Sequence, residues 1–182
     1  MRYSLLTPIL DKIIMTKVVQ LPQLKIVNLK PDQVDAAVAL LHGLWHETYA
    51  GRLPAHLVVQ RTRDHFRRHL EHRAGNCWLA WLGPRLVGLC STSANCVEDV
   101  WVGRRYRRRG IATRLVDTAC KHLAQRGFRA AQAGCEDFNH AASATFEHLG
   151  WRKVGAESVH IAPGICHEAL VYTRPLPLKE AS

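Results

Sequence analysis

The run RRYRRRGIAT (Arg104 to Thr113) packs five arginines into six residues and then turns small at Gly110 and Ala112. A strand-like stretch, CVEDVWV (Cys96 to Val102), precedes it, and Ile111, Leu115, Ala119 and Leu123 follow at helical spacing. Small residues therefore fall where a helix begins. A helix N-terminus presents unpaired N–H groups and roughly half a positive charge. Gly110 and Ala112 let an anion approach that backbone closely, and a phosphate or pyrophosphate suits it. The spacing is neither G-x-x-x-x-G-K-[ST] nor the three-glycine dinucleotide pattern. The arginines alone also permit a solvated basic strip for nucleic acid.

Other residues with chemical potential are scattered. His65, His69 and His72 share one face of a helical stretch, and His42 and His46 repeat the i, i+4 spacing. No acidic or Cys partner stands at a telling distance, so the reading is a solvated basic face rather than a metal site. Cys135 and His140 invite a thiol nucleophile, but direct transfer chemistry needs none. The six cysteines form no C-x-x-C pair, which points to neither a disulfide framework nor a zinc knuckle.

The elements that must position these residues read as one domain, residues 24–176, between an N-terminal extension (1–23) and a C-terminal tail (177–182). A strand at Leu24–Leu29 leads to a helix opened by Pro31-Asp32, with Asp32 as N-cap, that ends near His46. A second helix spans about Ala55 to Arg73. Strands at Cys77–Leu82, Arg85–Thr92 and Cys96–Val102 form an antiparallel meander. A helix from Gly110 to Arg126 crosses to a strand at Phe128–Cys135, and that strand–helix–strand unit is the parallel part. A helix from about Asn139 to Leu149 and strands near Trp151–His160 and His167–Arg174 complete an α+β fold.

Composition fits a globular protein, with 47% hydrophobic and 22% charged residues. The first residues, with Pro8, Asp11 and Lys12, do not read as a signal peptide, and Met15 is an alternative start. Free thiols without an export signal imply the cytoplasm. The net charge of +10 implies a polyanionic partner, such as nucleic acid, an anionic membrane or a phosphate-rich cofactor.

Arg107, Gly110 and Ala112 fill the three fixed places of [QR]-x-x-G-x-[GA], and NHAASATFEHLGW (Asn139 to Trp151) follows with a small-residue helix and a Leu-Gly-aromatic ending. Together these resemble the acyl-CoA site of the GNAT superfamily of N-acyltransferases, over about Leu24 to Arg174. The resemblance implies a mixed, mostly antiparallel sheet flanked by about four helices. It also implies a V-shaped splay between two central parallel strands. Acetyl-CoA would be the acyl donor, and no metal is called for. Its pantetheine would lie along Val100, Trp101 and Val102, with Arg107 in the motif. Its pyrophosphate would sit on N–H groups of Arg108, Arg109, Gly110, Ile111, Ala112 and Thr113, with Asn139 facing it from the later helix. The acceptor, a small-molecule or peptide amine, would meet Trp45 and Tyr49. Neither nucleic acid nor a membrane would be a partner, and the chain would be a monomer or homodimer.

An amine must shed a proton to attack a thioester, and Glu98 is the expected base. Asp99 is next in line, although strand alternation turns it to the other face. The chain departs from the family at Phe146, where many members carry a tyrosine that protonates the leaving thiolate. Solvent or another group such as Tyr172 would then serve. Two alternatives stay open: a basic nucleic-acid-binding module, and the same fold binding acyl-CoA without catalysis.

Overall fold

The computed structural model describes residues 23–162 and 165–177, with the side chains of 160–165 left aside. Of the extension read at 1–23, residues 1–22 with the alternative start lie outside the described residues, as do residues 178–182 of the tail read at 177–182. Seven strands form one sheet in the order β1-β2-β3-β4-β5-β7-β6. These are β1 (Leu24–Asn28), β2 (Cys77–Leu82), β3 (Arg85–Ser93), β4 (Cys96–Val102), β5 (Ala130–Glu136), β6 (Arg152–Ala162) and β7 (Ile165–Pro175). All neighbours are antiparallel except β4 and β5. The helices are α1 (Val34–Tyr49), α2 (Ala55–Val58), α3 (Arg63–His72), α4 (Ile111–Gln125) and α5 (His140–His148).

Among the described residues five helices stand where about four were expected, because the second splits. Val59 to Thr62 interrupt it, and the Thr62 hydroxyl caps α3 by accepting the His65 N–H at 3.2 Å. At the first helix, Pro31–Gln33 form a 3₁₀ turn instead. Asp32 thus lies inside that turn rather than capping α1, whose first residue is Val34. That helix runs on past His46 to Tyr49, because the ring of Tyr49 is itself buried.

The sheet separates two apolar layers. Ile111, Leu115, Ala119 and Leu123 of α4 and Phe146 of α5 pack on one face with Val87, Val97, Val102, Ala131 and Ala133. Val38 and Leu41 of α1 and Phe66 and Leu70 of α3 cover the other, against Cys77, Leu79 and Leu89. Strand alternation thus allots each side chain to one layer. In β5, Ala131, Ala133 and Cys135 face α4, which leaves Glu136 on the α1–α3 face.

The α4 layer approaches closely at Gly88. A Cβ there would stand 2.7 Å from the Trp101 carbonyl oxygen and 3.3 Å from Leu115 and Val102 side-chain atoms. Gly88→Ala is therefore expected to cost about 1–3 kcal/mol through overpacking. Urea unfolding measures it, and an unchanged midpoint would show that β3 and β4 can yield there.

Two irregularities shape the centre. Leu89 pairs with Trp101 and Ser91 with Glu98, so β4 carries one extra residue against β3. This bulge holds Asp99 at φ +50°, a left-handed conformation that a non-glycine residue adopts only when its surroundings fix it. β4 and β5, in turn, share a single bridge, Cys96 with Gln132. From Val97 to Val102 the edge of β4 nearest β5 has no bridge to it, so the parallel strands part toward their C-terminal ends.

Candidate active site

The basic loop closes the parted end of the sheet. After β4, a single 3₁₀ turn at Arg104–Tyr106 leads to Arg108 at φ +61° and Gly110 at φ +73°. Gly110 supplies the left-handed turn that α4 needs at its N-cap, at no steric cost. The Arg114 N–H makes the bond to the Gly110 carbonyl, at 3.1 Å. The N–H groups of Ile111, Ala112 and Thr113 therefore have no acceptor within the helix. With them stands the positive end of the α4 dipole.

The arginines divide in their contacts. Arg107 folds back so that its Nε donates to the Val102 carbonyl at 3.0 Å, which ties the loop to the end of β4. Arg109 lies over the Tyr106 ring, 5.9 Å from its centroid. Arg104 is exposed and reaches Glu47 only at 3.9 Å. Asn139 caps α5 by accepting the Ala142 N–H at 3.3 Å, across the parted strands from this loop.

The α1–α3 face of the opening gathers the acidic and aromatic groups. Glu98 pairs with Arg73, the C-cap of α3, at 2.5 Å. Asp99 accepts from the Ser91 hydroxyl at 2.6 Å and meets His69 Nε2 at 2.7 Å. Alternation had turned Asp99 away from Glu98. The bulge overrides it, and the carboxylates meet His69 of α3 and its C-cap Arg73, four positions apart. His69 is correspondingly not part of a solvated face. The hydrogen bond to Asp99 lifts its pKa above the ordinary histidine value, against the opposing effect of burial. Burial alone would push the Asp99 carboxyl up, but His69, Ser91 and Arg73 together hold it low. At Glu98 burial prevails over the pull of Arg73, and the carboxyl is raised.

Trp45 stacks on Tyr49 with centroids 5.0 Å apart, and Tyr49 meets Trp101 edge-on at 6.1 Å. The Tyr49 hydroxyl donates to Glu136 Oε2 at 2.7 Å. Burial and the neighbouring Glu136 charge push that phenol far above its usual range, so it stays a donor. Sequence reasoning missed Glu136, His69 and Arg73 as members of one site. The alternation of small residues in AAQAGCE was the available signal for Glu136, but only the sheet order shows which helix it faces.

Phe146 is buried between Trp151 and Tyr172, at 5.3 and 5.5 Å. Tyr172 is fully buried, and its hydroxyl is shared with Ser143 at 2.7 Å and Glu147 at 3.2 Å. The Cys135 thiol is pushed up to about 11, mainly by burial and then by Glu136 and Glu147, so it is protonated at neutral pH. Among the described residues no group of three His, Cys, Asp or Glu side chains is placed to hold a metal ion. No described helix is long and apolar enough to cross a membrane.

Solved structures share this architecture. A GCN5-related N-acetyltransferase from Rhodopseudomonas palustris superposes with a TM-score of 0.70 at 17% identity, over 86% of this chain and 98% of that one. An N-acetyltransferase from Thermoplasma acidophilum in complex with coenzyme A gives 0.68 at 14% identity, over 84% and 99%. A putative acetyltransferase from Salmonella typhimurium, solved with acetyl-CoA, gives 0.65 at 17% identity, over 87% and 96%. A probable N-acetyltransferase of Xenopus tropicalis, camello, is 26% identical over 145 residues; the match takes in 75% of this chain but only 65% of that protein's length. A sequence model of the acetyltransferase (GNAT) family matches residues 38–151, from within α1 to the residue that follows Gly150, and over that majority of its length the chain belongs to this family.

Proposed function

We propose that the chain transfers the acetyl group of acetyl-CoA to a primary amine of a small molecule or peptide by direct attack. The observation that carries the reading is the parting of β4 from β5 directly before the free N–H groups of α4. The unpaired edge from Val100 through Trp101 to Val102 suits the amides of a pantetheine arm. The N–H groups from Arg108 to Thr113 suit a pyrophosphate, for which Gly110 keeps the approach open. Arg107 contributes by fixing the loop to β4, and Asn139 stands at the head of α5 across the opening. Trp45 and Tyr49 line the acceptor side.

In the reaction the amine nitrogen bonds to the thioester carbon and the carbon–sulfur bond breaks. From the ammonium that predominates at neutral pH two protons leave the nitrogen, one before the attack and one after it, and the sulfur departs as a thiolate that takes up a proton from solvent. Glu98 is the proposed proton acceptor. A primary amine with pKa about 10.4 is neutral in only about one molecule in 2,500 at pH 7, so a carboxylate that takes its proton is valuable. The Phe146 ring offers the sulfur no proton, and the hydroxyl of Tyr172 is already engaged with Ser143 and Glu147. A thiolate with a conjugate acid near pKa 8.5 leaves without help.

The proposal is for a protein of the cytoplasm, as monomer or homodimer, with neither nucleic acid nor a membrane as its partner. Thermal melting with acetyl-CoA and with a DNA oligonucleotide of similar charge separates the readings, alongside a thiol-release screen of amines, amino acids, aminoglycosides and peptide N-termini. Stabilisation by acetyl-CoA with thiol release on one class of amine is expected. Stabilisation by DNA alone, lost steeply with salt, would favour the basic-strip reading. Stabilisation by acetyl-CoA without turnover of any amine would favour binding without catalysis.

A further inference from the structure

Three carboxylates stand on the α1–α3 face near the opening, and they are not alike. Glu98 is matched by Arg73, and Asp99 by His69. Glu136 has no cationic side chain within 4.0 Å among the described residues. Its partner is a neutral one, the Tyr49 hydroxyl. Arg52 lies over the Phe138 ring, 5.6 Å from its centroid, and donates to the Thr48 carbonyl. Half-buried and accepting from a neutral donor, this carboxylate is placed to take a cationic partner from outside the chain.

Its surroundings name the kind of cation. Tyr49 spans the opening, with Trp101 of β4 on one side and Glu136 of β5 on the other. Trp45 stacks behind Tyr49, and Phe138 meets it edge-on at 5.8 Å. Aromatic faces attract cations and also bury apolar carbon. A carboxylate at the end of such walls selects a positive head on a hydrocarbon body.

We propose that Glu136 receives the protonated amine of the acceptor, and that the acceptor class is a primary ammonium borne on an aromatic or aliphatic carbon skeleton. Anionic and neutral analogues are disfavoured at this corner. Tyr49 is a positioning residue, which holds the carboxylate toward the opening. The assignment rests on the acetyl-transfer reading for the use made of the site, with Glu98 taking one proton from the docked ammonium before attack and solvent the second after it. Glu136 thus governs affinity for the acceptor and Glu98 the rate.

The test uses the full chain saturated with coenzyme A. Calorimetry compares 2-phenylethylamine and butylamine with 2-phenylethanol and phenylacetate as probes, in the parent, Glu136→Gln and Glu136→Asp. The amines are expected to bind the parent at least about tenfold better than the alcohol, since a hydrogen bond to a charged partner is worth that factor or more. Glu136→Gln should lose that advantage and leave the alcohol unchanged, while Glu136→Asp should recover part of it. Retained coenzyme A affinity shows that each variant is folded. With acetyl-CoA and an accepted amine, KM should rise by the same factor in Glu136→Gln, with kcat within about threefold. Equal binding of amine and alcohol by the parent would overturn the proposal, as would no binding of any probe. Unchanged amine affinity in Glu136→Gln would do so too, and so would a fall in kcat at constant KM. Charge-selective amine binding lost in Glu136→Gln but without turnover of any amine would uphold the docking site and reject acetyl transfer.

Discussion

Gly110→Asp is expected to abolish measurable acetyl-CoA binding while the fold survives. Gly110 sits at φ +73°, and a Cβ built on it meets no atom within 4 Å. The free protein therefore has room for a side chain, and the conformational cost is about 1–2 kcal/mol, which a domain tolerates. The consequence for an anion is larger. The new carboxylate would stand at the positive end of α4, beside the N–H groups of Ile111, Ala112 and Thr113, and would take the place of the pyrophosphate while repelling it. Gly110→Ala separates the two effects, because it keeps the left-handed strain and adds no charge. Calorimetry should show affinity falling by more than about a hundredfold for Asp, which corresponds to 2.7 kcal/mol or more, and by a much smaller factor for Ala. Parental affinity in a folded Gly110→Asp protein would remove the loop from the site.

The geometry of that loop was readable in the sequence because its signals are local. The glycine, the small residue two places on and the helical spacing beyond them lie within one short run, and local backbone geometry follows from local residues. The succession of strands and helices along the chain and the central meander were readable for the same reason, as alternation and turns are short-range signals, whereas the place of β7 between β5 and β6 was not. The α1–α3 face was not. Tyr49 and Glu136 are separated by 87 positions, and His69 and Asp99 by 30, so no spacing announces them. The bulge at Asp99 exists only relative to β3, and it redirects a carboxylate that alternation alone would have turned away. His69 looked like one of a row of histidines on a basic helix, yet its partner arrives from another strand. The break before α3 was in principle visible as a capping threonine. An uninterrupted helical pattern across Val59 to Thr62 concealed it.

Glu98→Gln is expected to lower turnover at pH 7 by about a hundredfold or more, the usual worth of a positioned base. The pH dependence distinguishes that cause from misfolding. With Glu98 as the proposed base, the parent's activity should depend on its being ionised, and burial against the pull of Arg73 holds its carboxyl above the ordinary range. Activity should therefore fall on acidification from a higher pH than an exposed glutamate would give. Above that limb the carboxylate is available. The variant has no such limb. Its rate should follow the neutral fraction of the amine, which gains about tenfold per pH unit until the amine pKa near 10.4. The two profiles should converge at high pH, where the proton is already gone. Acetyl-CoA affinity should hardly change, because backbone groups of β4 and the loop are proposed to carry it. Glutamine preserves the shape and an acceptor oxygen for Arg73, whose guanidinium also reaches the Thr92 carbonyl at 3.4 Å, so the melting temperature should fall only slightly. A profile in Glu98→Gln that parallels the parent at every pH would take the proton away from Glu98. It would pass to water or to Asp99, the other carboxylate that the bulge of β4 turns toward α3.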